Sequence, residues 1–258
     1  MPVKQSFCYP AFTPETLSLD ELFATAADIG YKAMEMWKRP EDFKDVVAAA
    51  HRNNLVVASM NGHHGIADGS NNRANQDRIA KELRLSIDIA ADNGIGGVIC
   101  LAGVRQPFVT EVEAVDACAD CYRRVIEHAE AKGVNLNLEL LNSKLNHPGY
   151  QCDHTAWGLA VVQKVASPRM KLLYDIYHMQ IMEGDLIRTI QANIQHIGHF
   201  HTAGVPGRSD PDHTQEINYP AVCKAIAATD YAYYLGHEFF SKGDKIEALR
   251  KAFAICNA

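Results

Sequence analysis

A helical pattern that closes on a glycine, followed by a short apolar or alternating run, recurs along this chain. "ATAADIG" leads into "YKAMEMW", "DIAADNG" into "IGGVICLAG", and "EHAEAKG" into "VNLNLELLN". Glycine just past a helix supplies the left-handed residue that ends it. A short β-branched or alternating run reads as a strand. The rhythm predicts strands around 5–9, 32–37, 55–60, 97–102, 134–141, 171–177, 196–202 and 233–239, and helices near 18–29, 41–53, 73–93, 111–132, 154–166, 185–194, 219–228 and 244–256. The first helix opens with a capping box, Ser18 with Glu21 three residues on. Eight βα units in 258 residues match an α/β fold of the (β/α)8 or TIM-barrel kind, one domain over 1–258. A doubly wound open sheet is the alternative. No G-x-G-x-x-G follows the first strand, which argues against its dinucleotide-binding version. No linker, low-complexity segment or clear sequence repeat divides the chain.

The formal net charge of −6 does not suggest the basic face of a nucleic-acid binder. The opening "MPVKQSFCYPAF" has no apolar h-region, and no run is long enough to cross a bilayer. Seven cysteines without a framework read as reduced thiols, so the expected compartment is the cytoplasm. Cys118 and Cys121 form a CxxC, but Val115, Cys118, Tyr122, Val125 and Ala129 recur at helical steps and no second CxxC exists, so they read as a buried helix face.

Chemistry concentrates at the ends of the later strands. In "VNLNLELLN", Leu136, Leu138 and Leu140 point one way and Asn135, Asn137 and Glu139 the other. In a barrel the leucines meet the helices and Glu139 enters the mouth, where a carboxylate is costly unless paired, protonated or metal-bound. Asp175 interrupts the sixth strand with His178 three residues on, His199 and His201 share a face of the seventh, and Glu238 interrupts the eighth. Glu139, Asp175, His201 and Glu238 are spaced 36, 26 and 37 residues apart, close to one βα unit each. Three carboxylates at one height repel one another, and a divalent metal resolves the conflict. Each residue alone also fits a solvated or hydrogen-bonded role. Three oxygen donors and one imidazole favour Mn²⁺ or Mg²⁺, with Co²⁺ or Zn²⁺ as alternatives. His199, deeper on the strand, reads as an interior hydrogen-bonding residue. The long loop 203–218 after the seventh strand is expected on the active face.

The segments "LELLNSK", "YDIYHMQIMEGDL", "HFHTAGVPGR", "DPDHTQEINY" and "GHEFF" resemble the hydroxypyruvate isomerase branch of the xylose-isomerase-like TIM barrels. That superfamily also holds ketose 3-epimerases, inosose dehydratase and endonuclease IV. The resemblance is densest from about 134 to 242. It implies that Glu139, Asp175, His201 and Glu238 bind one divalent metal, that Glu139 and Glu238 are also the catalytic acid/base pair, and that His178 and Arg208 bind substrate oxygens. It implies proton transfer through an enediolate on a small hydroxy-keto acid such as hydroxypyruvate, or a related sugar acid. The sequence departs from the branch at "LELLN" for "LEPLN", at Gln215 for glycine, at "GHEF" for "GCEY", and at His201 for glutamine, the last as in the epimerases. A ketose 3-epimerase is therefore the alternative. A DNA-repair endonuclease would need more metals and histidines, and a non-catalytic barrel would not need the four-residue set. Arg208 has a competing reading as a loop ion pair to Asp210 or Asp212. Glu216 is expected to hydrogen-bond within the loop. Glu35 could reach the barrel mouth, while "NGHHG" at 61–65, Trp37 and Tyr9 are candidate pocket walls. A homo-oligomer is compatible, and no nucleic-acid or membrane partner is expected.

Overall fold

A computed structural model describes residues 2–14 and 16–257. Eight parallel strands close in chain order into a barrel: β1 (Lys4–Cys8), β2 (Ala33–Met36), β3 (Val56–Asn61), β4 (Gly97–Cys100), β5 (Asn135–Glu139), β6 (Met170–Asp175), β7 (Ile197–Thr202) and β8 (Tyr234–His237). β1 pairs with both β2 and β8, so no strand edge is left open. The surrounding helices are α1 (Tyr9–Phe12), α2 (Leu19–Ile29), α3 (Phe43–Arg52), α4 (Gln76–Asp92), α5 (Glu111–Arg123), α6 (Ile126–Lys132), α7 (Thr155–Val165), α8 (Ile176–Met182), α9 (Leu186–Asn193), α10 (Tyr219–Ala227) and α11 (Lys245–Cys256). This is the (β/α)8 fold that the helix–glycine–strand rhythm predicts.

The expected capping box is formed. The Ser18 hydroxyl accepts the Glu21 N–H at 3.3 Å, and the Glu21 carboxylate accepts the Ser18 N–H at 2.8 Å. Thr110 and Glu113 repeat the device on α5. The expected helix over 111–132 is two helices, broken between Arg123 and Ile126. The sixth strand stops at Asp175 rather than reaching 177, because Asp175 caps α8 by accepting the His178 N–H at 3.0 Å. The run "YDIYHMQIM" is apolar enough to read as either strand or helix, which is why α8 escapes a periodicity argument.

The outward leucines of β5 and β6 pack under α7. A β-carbon at Gly158 would lie 2.8 Å from Leu172 Cδ2 and 3.1 Å from Leu140 Cδ2, so the helix seats this closely only with glycine there. The barrel interior is partly polar, and glycines on neighbouring strands make room for it. A β-carbon at Gly97 would fall 2.5 Å from Asn137 Nδ2, and one at Gly236 would fall 2.0 Å from Glu35 Oε1. All seven cysteines are buried free thiols, Cys118 and Cys121 among them. Among the described residues no helix is long and apolar enough to cross a membrane.

Candidate active site

The strand register assembles the site at the C-terminal ends of β5 to β8. Asp175 on β6 lies opposite His201 on β7, and His201 lies opposite Gly236 on β8, two residues before Glu238. Glu139 is the last residue of β5. One donor atom from each of Glu139, Asp175, His201 and Glu238 lies within 4.8 Å of the others, and all four side chains are buried. His201 Nδ1 stands 3.5 Å from Glu139 Oε1 and 3.7 Å from Glu238 Oε2, with no hydrogen-bond partner of its own. A buried imidazole nitrogen without a partner, ringed by three carboxylates, fits a divalent cation. Its mixed oxygen and nitrogen donors suit Mn²⁺ or Mg²⁺ better than a thiolate-preferring metal.

Electrostatics within the cluster are uneven. Burial pushes Asp175 up to about 6, with Glu238 adding to the rise. Burial also raises Glu139 above the usual carboxylate range. Glu238 feels the same burial, but His201 and Arg208 more than offset it and hold it below the usual value. Burial would lower His201, yet Glu238 and Glu35 raise it well above an ordinary histidine.

Glu238 is gripped from both sides. Trp37 donates its indole N–H to Oε1 at 2.5 Å, and Arg208 donates from Nη2 to Oε2 at 2.5 Å. Arg208 therefore pairs with Glu238, not with Asp210 or Asp212. Its Nε is buried and free of partners, and its guanidinium lies 5.6 Å from the centre of the Tyr177 ring. His178 lies on the first turn of α8, not at a strand end. Its Nδ1 accepts the Asn142 N–H at 3.1 Å, so Nε2 carries the proton. That nitrogen is buried without a hydrogen bond, 3.6 Å from Asp175 Oδ2. Burial and then Arg208 keep the ring neutral.

Glu139 and Glu238 open into a cavity of about 220 Å³, walled by Trp37, Asn61, Leu101, His147 and Phe240. A cleft of about 480 Å³ elsewhere, between Asn71 and Phe108, is larger but adjoins none of these four donors.

Glu35 lies below this mouth, in the barrel interior, at 1% exposure. It accepts the Ser6 hydroxyl at 2.5 Å through Oε1 and meets His201 Nε2 at 3.1 Å through Oε2. His199 Nε2 is 2.8 Å from Oε2 as well, which bears out its reading as an interior residue. Burial raises the Glu35 carboxyl, but the two histidines overcome that and hold it well below the usual range. Trp37 and Asn61 line the cavity as expected of them. Tyr9 instead stacks edge-on against Phe23 at 5.8 Å, and His63 is buried, accepting the Leu101 N–H at 2.9 Å. Glu216 donates its backbone N–H to Val205 within the loop at 3.1 Å, as expected, and its carboxylate also accepts from Gln180 on α8 at 3.2 Å. Sequence reasoning missed Asn142 and His147. Both sit in the loop after β5, a position that in a barrel belongs to the active face.

The family model for the xylose isomerase-like TIM barrel matches residues 23–257. The chain is 35% identical over 250 residues to "Putative hydroxypyruvate isomerase" of Homo sapiens, covering 92% of this chain and 89% of the human one. It is 27% identical over 235 residues to the 2-oxo-tetronate isomerase of Pectobacterium atrosepticum, covering 88% of each. A solved structure of an AP endonuclease, family 2, from Brucella melitensis superposes with a TM-score of 0.81 at 24% identity, covering 96% of this chain and 97% of that one. At that identity it speaks to the fold alone.

Proposed function

The chain belongs to the xylose isomerase-like TIM barrel family, and on that premise we propose that it is a divalent-cation-dependent isomerase of a small α-hydroxycarbonyl acid, hydroxypyruvate or a 2-oxo-tetronate. The observation that carries this reading is the convergence of Glu139, Asp175, His201 and Glu238 around an unpartnered His201 Nδ1. These four would hold the cation. When bound, it supplies Lewis-acid polarisation of the substrate's carbonyl and neighbouring hydroxyl oxygens, offsetting the negative charge that develops as a proton leaves carbon.

The two glutamates divide the proton work. Glu238, held ionised by His201 and Arg208, takes the proton from the hydroxyl-bearing carbon. Glu139 returns a proton to the former carbonyl carbon, and the proton left on Glu238 passes back to Glu139 through solvent before the next turnover. The hydroxyl proton passes to the other oxygen, so the product is an isomer with no net oxidation. His178, a neutral ring with its proton on Nε2, donates to a substrate oxygen. Arg208 offers its free Nε–H to the substrate carboxylate while its Nη2 steadies Glu238. Trp37, Leu101 and Phe240 exclude water from the carbanion-like charge.

A ketose 3-epimerase is the second reading, favoured by His201 in the place where the hydroxypyruvate isomerase branch carries glutamine. The deciding experiment is proton NMR of hydroxypyruvate in D₂O with Mn²⁺- or Mg²⁺-loaded and metal-stripped protein. Metal-dependent tartronate semialdehyde with deuterium on carbon supports the isomerase. Absence of conversion and exchange, with turnover of ketoses instead, supports the epimerase.

A further inference from the structure

We propose that Glu35 is a positioning residue for the cation site, fixing the His201 ring with its proton on Nε2 so that the Nδ1 lone pair faces Glu139, Asp175 and Glu238. This rests on the reading of those four as the cation's holders and extends it to a residue that touches neither cation nor substrate.

The argument starts from what a carboxylate can do. It has no proton to give, so its neighbours must donate. Ser6 gives its hydroxyl to Oε1 at 2.5 Å, and His201 Nε2 meets Oε2 at 3.1 Å. An imidazole that binds a cation through Nδ1 is neutral and has one N–H, so with Nε2 holding that proton Nδ1 is a bare lone pair. Nδ1 is the buried atom with no partner, and it faces the two glutamates at 3.5 Å and 3.7 Å. His199 Nε2 also comes within 2.8 Å of Oε2, so the carboxylate meets both β7 rings, and it is His201 whose other nitrogen faces Glu139 and Glu238.

Further contacts show that this placement is built. Glu35 sits at 1% exposure in the barrel interior, where a charge is retained only with dedicated partners. Its space comes from β8, since a β-carbon at Gly236 would overlap Oε1 at 2.0 Å. β1 supplies the Ser6 hydroxyl, β7 the two imidazoles and β8 the space at Gly236 for the single carboxylate that β2 carries. Hydrogen bonds of this kind to the far nitrogen of a metal-binding histidine orient the ring and raise its basicity.

The test uses the intact protein labelled with ¹⁵N-histidine and loaded with diamagnetic Mg²⁺, together with Mn²⁺ titrations followed by the EPR signal of the free ion. Long-range ¹H–¹⁵N spectra should show His201 protonated at Nε2 in the unmodified protein. Glu35→Gln can still present an oxygen to His201 by turning its amide nitrogen toward Ser6, and should weaken Mn²⁺ binding about 10-fold. Glu35→Ala leaves Nε2 without an acceptor and should weaken it about 100-fold, with a mixed tautomer. Mn²⁺ affinity for Glu35→Ala within about twofold of the unmodified protein, with the tautomer unchanged, overturns the proposal. A His201 proton on Nδ1 in the Mg²⁺-loaded unmodified protein overturns it without any variant. Failure of the unmodified protein to bind Mn²⁺ would instead remove the four-residue site itself, and this inference with it.

Discussion

Replacing Gly236 with alanine adds one methyl group to the barrel interior, and the geometry says what it must displace. The new carbon would lie 2.0 Å from Glu35 Oε1, 3.0 Å from Glu35 Cδ and 3.1 Å from His199 Nε2. Ordinary contact begins at 3.4 Å, so Oε1 must retreat by about 1.4 Å. The Ser6 contact to that oxygen at 2.5 Å cannot survive the shift, and with Cδ also pressed at 3.0 Å the whole carboxylate must move, drawing Oε2 out of its 3.1 Å contact with His201. A buried charge deprived of its partners costs about 3–5 kcal/mol. At about 2–4 °C per kcal/mol for a domain of this size, Gly236→Ala should melt roughly 6–20 °C below the unmodified protein. Elsewhere in a strand the same exchange would be neutral or would stabilise by up to about 1 kcal/mol through the unfolded chain. Differential scanning calorimetry of Gly236→Ala, Glu35→Ala and the double variant measures the effect. With the carboxylate gone the methyl has space, so the second substitution should cost little in the Glu35→Ala background. Strict additivity of the two losses, or a Gly236→Ala melting point within about 2 °C of the original, would refute the steric link.

Four further outcomes follow from the site. Glu238→Gln and Glu139→Gln should each lower kcat by at least about 100-fold in the NMR isomerisation assay while leaving the fold intact by circular dichroism, because each removes a proton carrier. Arg208→Met should raise KM about 10-fold or more, since it withdraws a charge-assisted donor worth about 1.5–3 kcal/mol, and its effect should be smaller on substrates without a carboxylate. Mn²⁺ affinity should rise with pH. His201, raised well above 6.5, must lose a proton from Nδ1, so affinity climbs about tenfold per unit above pH 6.5, and the slope steepens below about 6, where Asp175 also holds a proton. A flat affinity profile in isothermal titration from pH 5.5 to 8 would contradict this. Adding the cation at 100 times its Kd should raise the melting temperature by about 5–10 °C, reversed by chelator.

Most of the barrel was legible because its signals are local. Glycine closes helices, and alternation separates the inward Glu139 from the outward Leu138 and Leu140. The spacing of Glu139, Asp175, His201 and Glu238 by about one βα unit was enough to place them on one rim. What escaped depends on contacts between distant segments. The helix α8 hides in an apolar run and is settled by the Asp175 cap. Arg208 has two aspartates nearby in sequence, yet its partner is 30 residues away. Glu35 was visible as an inward residue of β2, but its depth beneath His201, 166 residues on, depends on barrel closure and on the space left by Gly236. His147 and Asn142 carry no pattern of their own, and only their place after β5 marks them.

The seam between β1 and β8 gives the proposed cation site a second meaning. The proposed donors lie between Glu139 and Glu238, while the groups in contact with His201 and Glu238, Glu35 and Trp37, come from the second βα unit. Because the ring shuts through β1 and β8, an incomplete or clipped chain holds donors without their supports, or supports without their donors. At the site proposed above, tight cation binding would therefore report the completeness of the whole circle. It should also protect the N-terminal strands from proteolysis, although the nearest donor lies 104 residues beyond Glu35 in the chain.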